Sequence, residues 1–233
     1  MNSKLNHPIL IAYDFLSRCF DNGLRLKASQ TYVYVDGFNL YYGALRKTPH
    51  KWLDLAKFCQ RLLPNDNVAE IKYFTAQVSG DRRRPDSPIR QQLYLRALNT
   101  LPNVTITFGH FLTHSVPMRV SNSNPSRWTK VDKTEEKGSD VNLAAHILRD
   151  GFKGLYELAV VISNDSDLRE PVRIVGQDLN LPVGIINPHQ RHSKELQEFA
   201  TFIKRVRDAD LANSQFPETI EDAKGTFKKP RGW

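Results

Sequence analysis

The sequence predicts an α/β protein built on a mostly parallel, doubly wound sheet with helices on both faces. Three observations carry this. Strand and helix patterns alternate from Thr31 onward, as a chain of crossover units requires. The strand candidates are short runs of β-branched and aromatic residues, which suit a sheet buried on both faces. A length of 233 residues, with 40% apolar and 25% charged content, fits one such domain with additions at its ends.

The expected strands are Tyr32 to Val35, Val68 to Ala76, Val104 to Phe108, Leu158 to Ile162 and Pro182 to Ile186. Helical patterns fill the intervals at Leu53 to Leu63, Ser87 to Asn99, Ser139 to Asp150, Asp167 to Asp178 and Ser193 to Phe202. Gly80 to Pro88 and His114 to Lys137 break the rhythm. Both are polar, basic and supplied with proline, so they read as loops on the surface. Residues 1–30 form an N-terminal extension in which Ile9 to Phe20 suits an amphipathic helix packed on the domain, residues 31–206 form the domain, and 207–233 a tail. Within that tail Ser214 to Trp233, with Lys228, Lys229 and Arg231, reads as extended or disordered.

Lysine and arginine total 33 against 25 acidic residues, a formal charge of +8 that favours an anionic partner. Cys19 and Cys59 have neither zinc spacing nor a disulfide framework, which fits a reducing, cytoplasmic setting. No apolar run approaches the roughly 20 residues that cross a bilayer, and Asp14 and Arg18 interrupt the first apolar stretch. His110 and His114 fall across a strand end, where they make a poor ligand pair. A homo-oligomer is compatible with this surface, and no protein partner is specified.

The chemistry concentrates in aspartates. The first strand ends in Val35-Asp36-Gly37-Phe38-Asn39, a carboxylate followed by a glycine that lets the chain turn. The fourth runs directly into Ser163-Asn164-Asp165-Ser166-Asp167. Where two such strands are neighbours in a doubly wound sheet, the chain leaves them in opposite directions and ligands bind at the switch point. Asp140 opens the helix that feeds the fourth strand, with Ser139 as its expected N-cap, and so starts on the same rim. Each aspartate alone could be a turn or cap residue. Together, with no lysine among the strand ends to neutralise them, they repel unless a divalent cation intervenes, and hard oxygen ligands select magnesium or manganese.

Three segments resemble the NYN domain, a branch of the PIN-like nuclease superfamily: Tyr34-Val35-Asp36-Gly37-Phe38-Asn39-Leu40, Lys137-Gly138-Ser139-Asp140-Val141-Asn142-Leu143 and Val161-Ile162-Ser163-Asn164-Asp165-Ser166-Asp167-Leu168. The resemblance runs from about Thr31 to Val206. It implies a sheet of about the order 3-2-1-4-5, an acidic pocket for magnesium or manganese, and hydrolysis of RNA phosphodiesters. It carries the catalytic and metal-binding roles onto Asp36, Asp140, Asp165 and Asp167, and pocket support onto Asn39 and Ser163. Asn164 departs from the glycine of many relatives, a change that a turn tolerates.

The RNA backbone would be held by Arg82, Arg83 and Arg84 on one loop and by Arg119, Arg127, Lys130, Lys133 and Lys137 on the other. Tyr41, Tyr42 and Trp128 are candidates for stacking on unpaired bases, with core packing the commoner fate for one of the two tyrosines. The alternative is a catalytically weak or inactive RNA-binding scaffold on the same fold. A phosphatase forming an aspartyl-phosphate would want a carboxylate where Phe38 stands. A receiver domain would want adjacent acidic residues after the first strand, and Asp36 stands alone.

Overall fold

A computed structural model describes residues 30–80, 85–191 and 193–233. The helix expected over Ile9 to Phe20 lies outside these residues, as do Arg82, Arg83 and Arg84. The elements are β1 (Gln30–Asp36), α1 (Gly37–Leu40), α2 (Leu55–Leu62), β2 (Asn67–Thr75), α3 (Ser87–Leu98), β3 (Val104–Phe108), β4 (His110–Arg119), β5 (Trp128–Lys137) and α4 (Ser139–Phe152). They continue with β6 (Leu158–Ile162), α5 (Arg169–Arg173), β7 (Val183–Asn187), α6 (Lys194–Gln197), β8 (Phe202–Arg205), α7 (Asp208–Ala212), β9 (Thr219–Asp222) and β10 (Gly225–Lys228).

Six strands form one sheet in the order β3-β2-β1-β6-β7-β8, and every pairing in it is parallel. Alternation along β1 explains why helices cover both faces. Val33 and Val35 point into a core shared with Phe58 and Leu62 of α2 and with Leu95 and Leu98 of α3. Tyr34 points the other way, among Leu143 and Ile147 of α4 and Val172 of α5. The chain therefore leaves β1 toward one face and β6 toward the other, and the switch point falls at the carboxyl ends of these two neighbours.

The expected order 3-2-1-4-5 is corrected in two respects. A sixth strand, β8, extends the sheet beyond β7, and a hairpin outside the sheet takes the fourth and fifth places in the chain. Ser193 to Phe202 reads as one helix, yet only Lys194–Gln197 is helical, while Phe202 and Ile203 pair with Gly184 and Ile185. Lys204 and Arg205 follow on this outer strand, where charge suits an edge.

His114 to Lys137, read as a loop, is mostly an antiparallel ribbon of β4 and β5. Most of its residues are exposed, so it carries no one-sided alternation for a sequence reading to detect. An isolated two-stranded ribbon is marginal in water. This one is fastened at its base, where Gly109 N donates to Thr75 O at 2.7 Å and Phe111 packs edge-on to Phe38 at 5.8 Å.

The tail is likewise folded. Trp52, fully buried, is ringed by Phe216, Phe227 and Trp233, and its Nε1 donates to Pro217 O at 2.8 Å. Arg96 of α3 binds Asp222 through two bonds, of 2.7 and 2.6 Å. These apolar residues are scattered singly among polar ones, which is why composition reads the segment as disordered. No described helix is long and apolar enough to cross a membrane.

Beneath β2, Lys72 donates to the fully buried carboxylate of Asp150 on α4, which also accepts from the Tyr34 hydroxyl at 2.9 Å and twice from Arg149. Burial opposes the charge on Asp150, but bonds from Lys72, Arg149 and Tyr34 hold its carboxyl below the ordinary range. Lys72→Met should therefore strand a buried charge. With Arg149 still in place we expect a loss near the lower end for such pairs, about 3 kcal/mol. Urea unfolding of the two proteins measures it, and a loss under about 1 kcal/mol would show that the pair is not structurally important.

Candidate active site

Asp36 ends β1 and caps α1: its Oδ1 accepts from Asn39 N at 2.9 Å. Its Oδ2 accepts from Ser163 Oγ at 2.9 Å, and that same hydroxyl oxygen accepts from Asp165 N at 3.1 Å. Asn39 Oδ1 receives Asn164 N at 3.0 Å, and Asn164 Oδ1 receives Ser193 N at 2.7 Å. The ends of β1 and β6 and the start of α6 are thus bound into one rigid rim. Asn39 and Ser163 both hydrogen-bond within this rim, and Asn164, which the sequence marks only as a departure, is a further link.

Asp140 arrives from the first turn of α4. The expected N-cap, Ser139, is corrected: Gly138 is the cap, at φ 95°, a conformation that glycine adopts without strain. Ser139 is buried, and its N and Oγ both donate to Glu136, at 3.1 and 2.8 Å. Glu136 at the end of β5 therefore satisfies the helix terminus and steers Asp140. Sequence reasoning missed it because it falls inside the segment read as a loop.

Oxygens of Asp36, Asp140 and Asp165 all lie within 4.8 Å of one another. Asp167 does not join them. It is exposed, on a single 3₁₀ turn at Ser166–Leu168 capped by Asp165, whose Oδ1 accepts from Asp167 N at 3.0 Å. Burial pushes the Asp140 carboxyl up to about 6, with Asp36, Asp165, Glu136 and Asp167 adding to the shift. Burial also raises Asp36, opposed by its bonds from Asn39 and Ser163. Among the described residues the charged neighbours that chiefly shift these two are acidic, so the cluster is uncompensated there, and its all-oxygen donor set suits a hard divalent cation.

The expected RNA contacts are more dispersed. Arg127 and Lys130 are exposed on the distal half of the ribbon, beside Trp128, which is 66% exposed. Lys137 lies at the ribbon's base, three residues before Asp140 in the chain, and both it and Lys133 pair with Glu135. Tyr41 packs against the core and Tyr42 is exposed.

Gly37 and Phe38, which follow Asp36, help to line a cleft of about 510 Å³ bounded by aromatic rings and cations, which the sequence does not reveal. Gly37 packs tightly on β2: a Cβ there would meet Cζ of Tyr73 at 2.6 Å. Space, rather than the sharp turn expected, is what requires glycine. A larger depression of about 780 Å³ lies elsewhere, between α2 and the C-terminal segment. It contains none of the four aspartates, and its own carboxylate, Asp210, is paired with Arg61 and Arg207.

A family model for the NYN domain matches residues 30–207. The 6-hydroxy-3-succinoylpyridine 3-monooxygenase HspA of Pseudomonas putida is 31% identical over 235 residues, covering 88% of this chain and 75% of that protein. A crystal structure of a Vibrio parahaemolyticus protein of unknown function aligns with a TM-score of 0.53 at 17% identity, over 79% of this chain and 97% of that one. That likeness bears on the fold alone, an α/β architecture consistent with the PIN-like type.

Proposed function

We propose that this chain, which belongs to the NYN domain family of the PIN-like nuclease superfamily, is a ribonuclease that uses magnesium or manganese to hydrolyse phosphodiester bonds, with single-stranded RNA as its preferred substrate. The observation that carries the reading is the triad of Asp36, Asp140 and Asp165 at the switch point of the sheet, uncompensated among the described residues. These three would hold the cation, with Asp167 in a supporting place at the rim. Bound there, it supplies activation of water and neutralisation of charge at the phosphate.

The chain's own residues supply position. Ser163 and Asn39 hold both oxygens of Asp36, so its lone pairs face the cluster without rearrangement when substrate arrives. Asp36 is only 4% exposed, so a scissile phosphate has to approach closely, which a flexible strand does more readily than a stiff duplex. Internal and terminal cleavage are both open to such a rim. A reducing, cytoplasmic location agrees with Cys59, a buried free thiol whose burial raises its pKa.

Labelled single-stranded RNA incubated with the purified protein, in manganese and in chelator, tests this directly. Metal-dependent cleavage that is absent from Asp36→Asn is the expected result. RNA binding without cleavage would instead favour the inactive scaffold.

We assign phosphate contacts to Arg82, Arg83 and Arg84 and, on the ribbon, to Arg127, Lys130 and Lys137. Arg127→Ala with Lys130→Ala should lower the slope of log affinity against log salt by up to about 0.7 per lost contact. Cleavage at saturating RNA should persist. An unchanged slope would show that the ribbon's outer half faces solvent only.

A second reading follows the name of the Pseudomonas relative, and the aromatic cleft beside the acidic rim favours it: hydroxylation of a small heteroaromatic acid. Oxygen consumption on mixing the protein with 6-hydroxy-3-succinoylpyridine and a reduced nicotinamide separates it from the first. Uptake that tracks substrate concentration supports the second reading, and RNA cleavage without uptake supports the first.

A further inference from the structure

The cleft lined by Gly37 and Phe38 has a chemistry opposite to that of the rim. Its volume, about 510 Å³, falls within the usual range for small-molecule sites, roughly 300–1,000 Å³. Rings enclose it on several sides. Phe38 and Phe111 meet edge-on at 5.8 Å, Tyr41 and Tyr42 at 5.3 Å, and Tyr94 and Trp233 are tilted at 5.8 Å. None of these pairs is stacked face to face, an arrangement that leaves room for a flat guest to supply the parallel partner.

Among the described residues no acidic side chain lines the cleft, whereas Arg46, Lys51 and Arg90 do. Arg90 is bound to Asp86 at 2.8 Å. Among the described residues neither Arg46 nor Lys51 forms an ion pair with a carboxylate: Arg46 lies over the Tyr42 ring at 5.3 Å, and Lys51 donates to the Thr48 carbonyl at 2.6 Å. Burial and the neighbouring Arg90 and Lys229 press the Lys51 ammonium toward losing its proton. An anion would relieve that repulsion. Hydroxyl groups of Tyr42, Ser79 and Ser87 also line the cleft and offer hydrogen bonds to polar atoms on a ring.

We propose that this cleft binds a planar heteroaromatic ring carrying an anionic group, the ring against Tyr42, Phe38 and Trp233 and the anion on Arg46 and Lys51. Two sources offer that chemistry: a nucleotide unit of a polynucleotide, and a free small heteroaromatic acid. Gly37 and Phe38 line the cleft and directly follow Asp36 in the chain, which sets either ligand close to the carboxylate rim. The inference needs neither metal nor cleavage, so its failure and that of the nuclease reading are separable.

Isothermal titration in chelator tests it, with AMP, CMP and 6-hydroxypyridine-3-carboxylate as probes, and with adenosine and inorganic phosphate as ring-only and anion-only controls. At least one complete probe should bind with a Kd below about 1 mM, and both controls at least tenfold more weakly. Binding by nucleotides alone identifies a polynucleotide subsite, and binding by the pyridine acid alone a small-molecule site. Tyr42→Ala and Arg46→Gln, both at exposed positions, should each weaken the complex at least tenfold with the melting temperature unchanged. Absence of binding by all three probes, or binding that neither variant alters, overturns the proposal.

Discussion

Asp36→Asn should lower metal-dependent RNA cleavage by about a thousandfold and leave the melting temperature the same or slightly higher. The two halves share one cause. Asn keeps the size of Asp: its Oδ1 can still accept from Asn39 N, and its Nδ2 can donate to Ser163 Oγ in place of the bond that Oδ2 accepts, so the rim retains its geometry. What disappears is a charge that burial already disfavours, beside two like charges. An amide is a poor ligand for a hard cation, and loss of a preorganised electrostatic group at a reacting phosphate typically reduces rate by about 10² to 10³. Asp165→Asn should behave similarly. Asp167→Asn should lose far less, because Asp167 is exposed and outside the cluster. Single-turnover rates in saturating manganese decide the matter. Near wild-type cleavage by Asp36→Asn, or equal losses at positions 36 and 167, would sink the assignment.

That contrast between Asp165 and Asp167 also marks the limit of what the sequence discloses. Strand ends are legible because buried parallel strands are apolar runs that stop abruptly, and Asp36 and Asp165 each stand at such a stop. Neighbouring strands in a doubly wound sheet then imply convergence before any coordinates exist. A spacing of two residues cannot, however, say which of Asp165 and Asp167 points inward. That is decided by the Asp165 side chain capping the turn that carries Asp167 outward. Asp140 is harder to read from sequence, since the dipole of any helix favours an acid in its first turn. Its place depends on Gly138 and Glu136, which lie where the ribbon meets α4.

The ribbon and the tail escaped detection for opposite reasons. β4 and β5 are exposed along most of their length and leave no periodic signature, so only the register, with Val116 opposite Val131 and Arg119 opposite Trp128, reveals them as strands. The tail buries Phe216, Ile220 and Phe227 against a core already assembled around Trp52. Its order comes from tertiary contact rather than local propensity. The aromatic cleft has the same origin: Phe38, Tyr73, Phe111 and Trp233 are far apart in the chain, and each alone reads as an ordinary core residue.

In chelator, the protein should lose stability as pH rises from about 4 to about 7, and magnesium or manganese should restore it while switching on cleavage. The sign follows from Asp140, whose carboxyl is pushed up to about 6 in the native state against 3.8 when unshifted. Between those values the folded state binds more protons than the unfolded one, so stability falls as pH rises. The contribution is fully present below about 4 and lost above about 6, and the raised Asp36 acts in the same direction. Of the groups of the opposite sense, His146 acts within this window, because burial lowers its pKa from 6.5 and its contribution rises with pH, while the carboxylates act lower. Asp222 is held at about 2 by its bonds from Arg96, and Asp150 is also held down, so their contributions fade only on further acidification. A cation binding only the ionised native cluster adds RT ln(1 + [M]/Kd), about 2.7 kcal/mol at a hundredfold excess over Kd. For a chain of this length that raises the melting temperature by roughly 5–10 °C at neutral pH. Below about pH 4 the rise should vanish, because protons then occupy the same oxygens. Asp140→Asn should flatten the pH dependence in chelator and reduce the metal-induced rise. Thermal melts across this range, with and without manganese, measure both effects. An equal metal-induced rise in wild type and Asp140→Asn would remove Asp140 from the ligand set, and cleavage undiminished in excess chelator would remove the metal from the reaction.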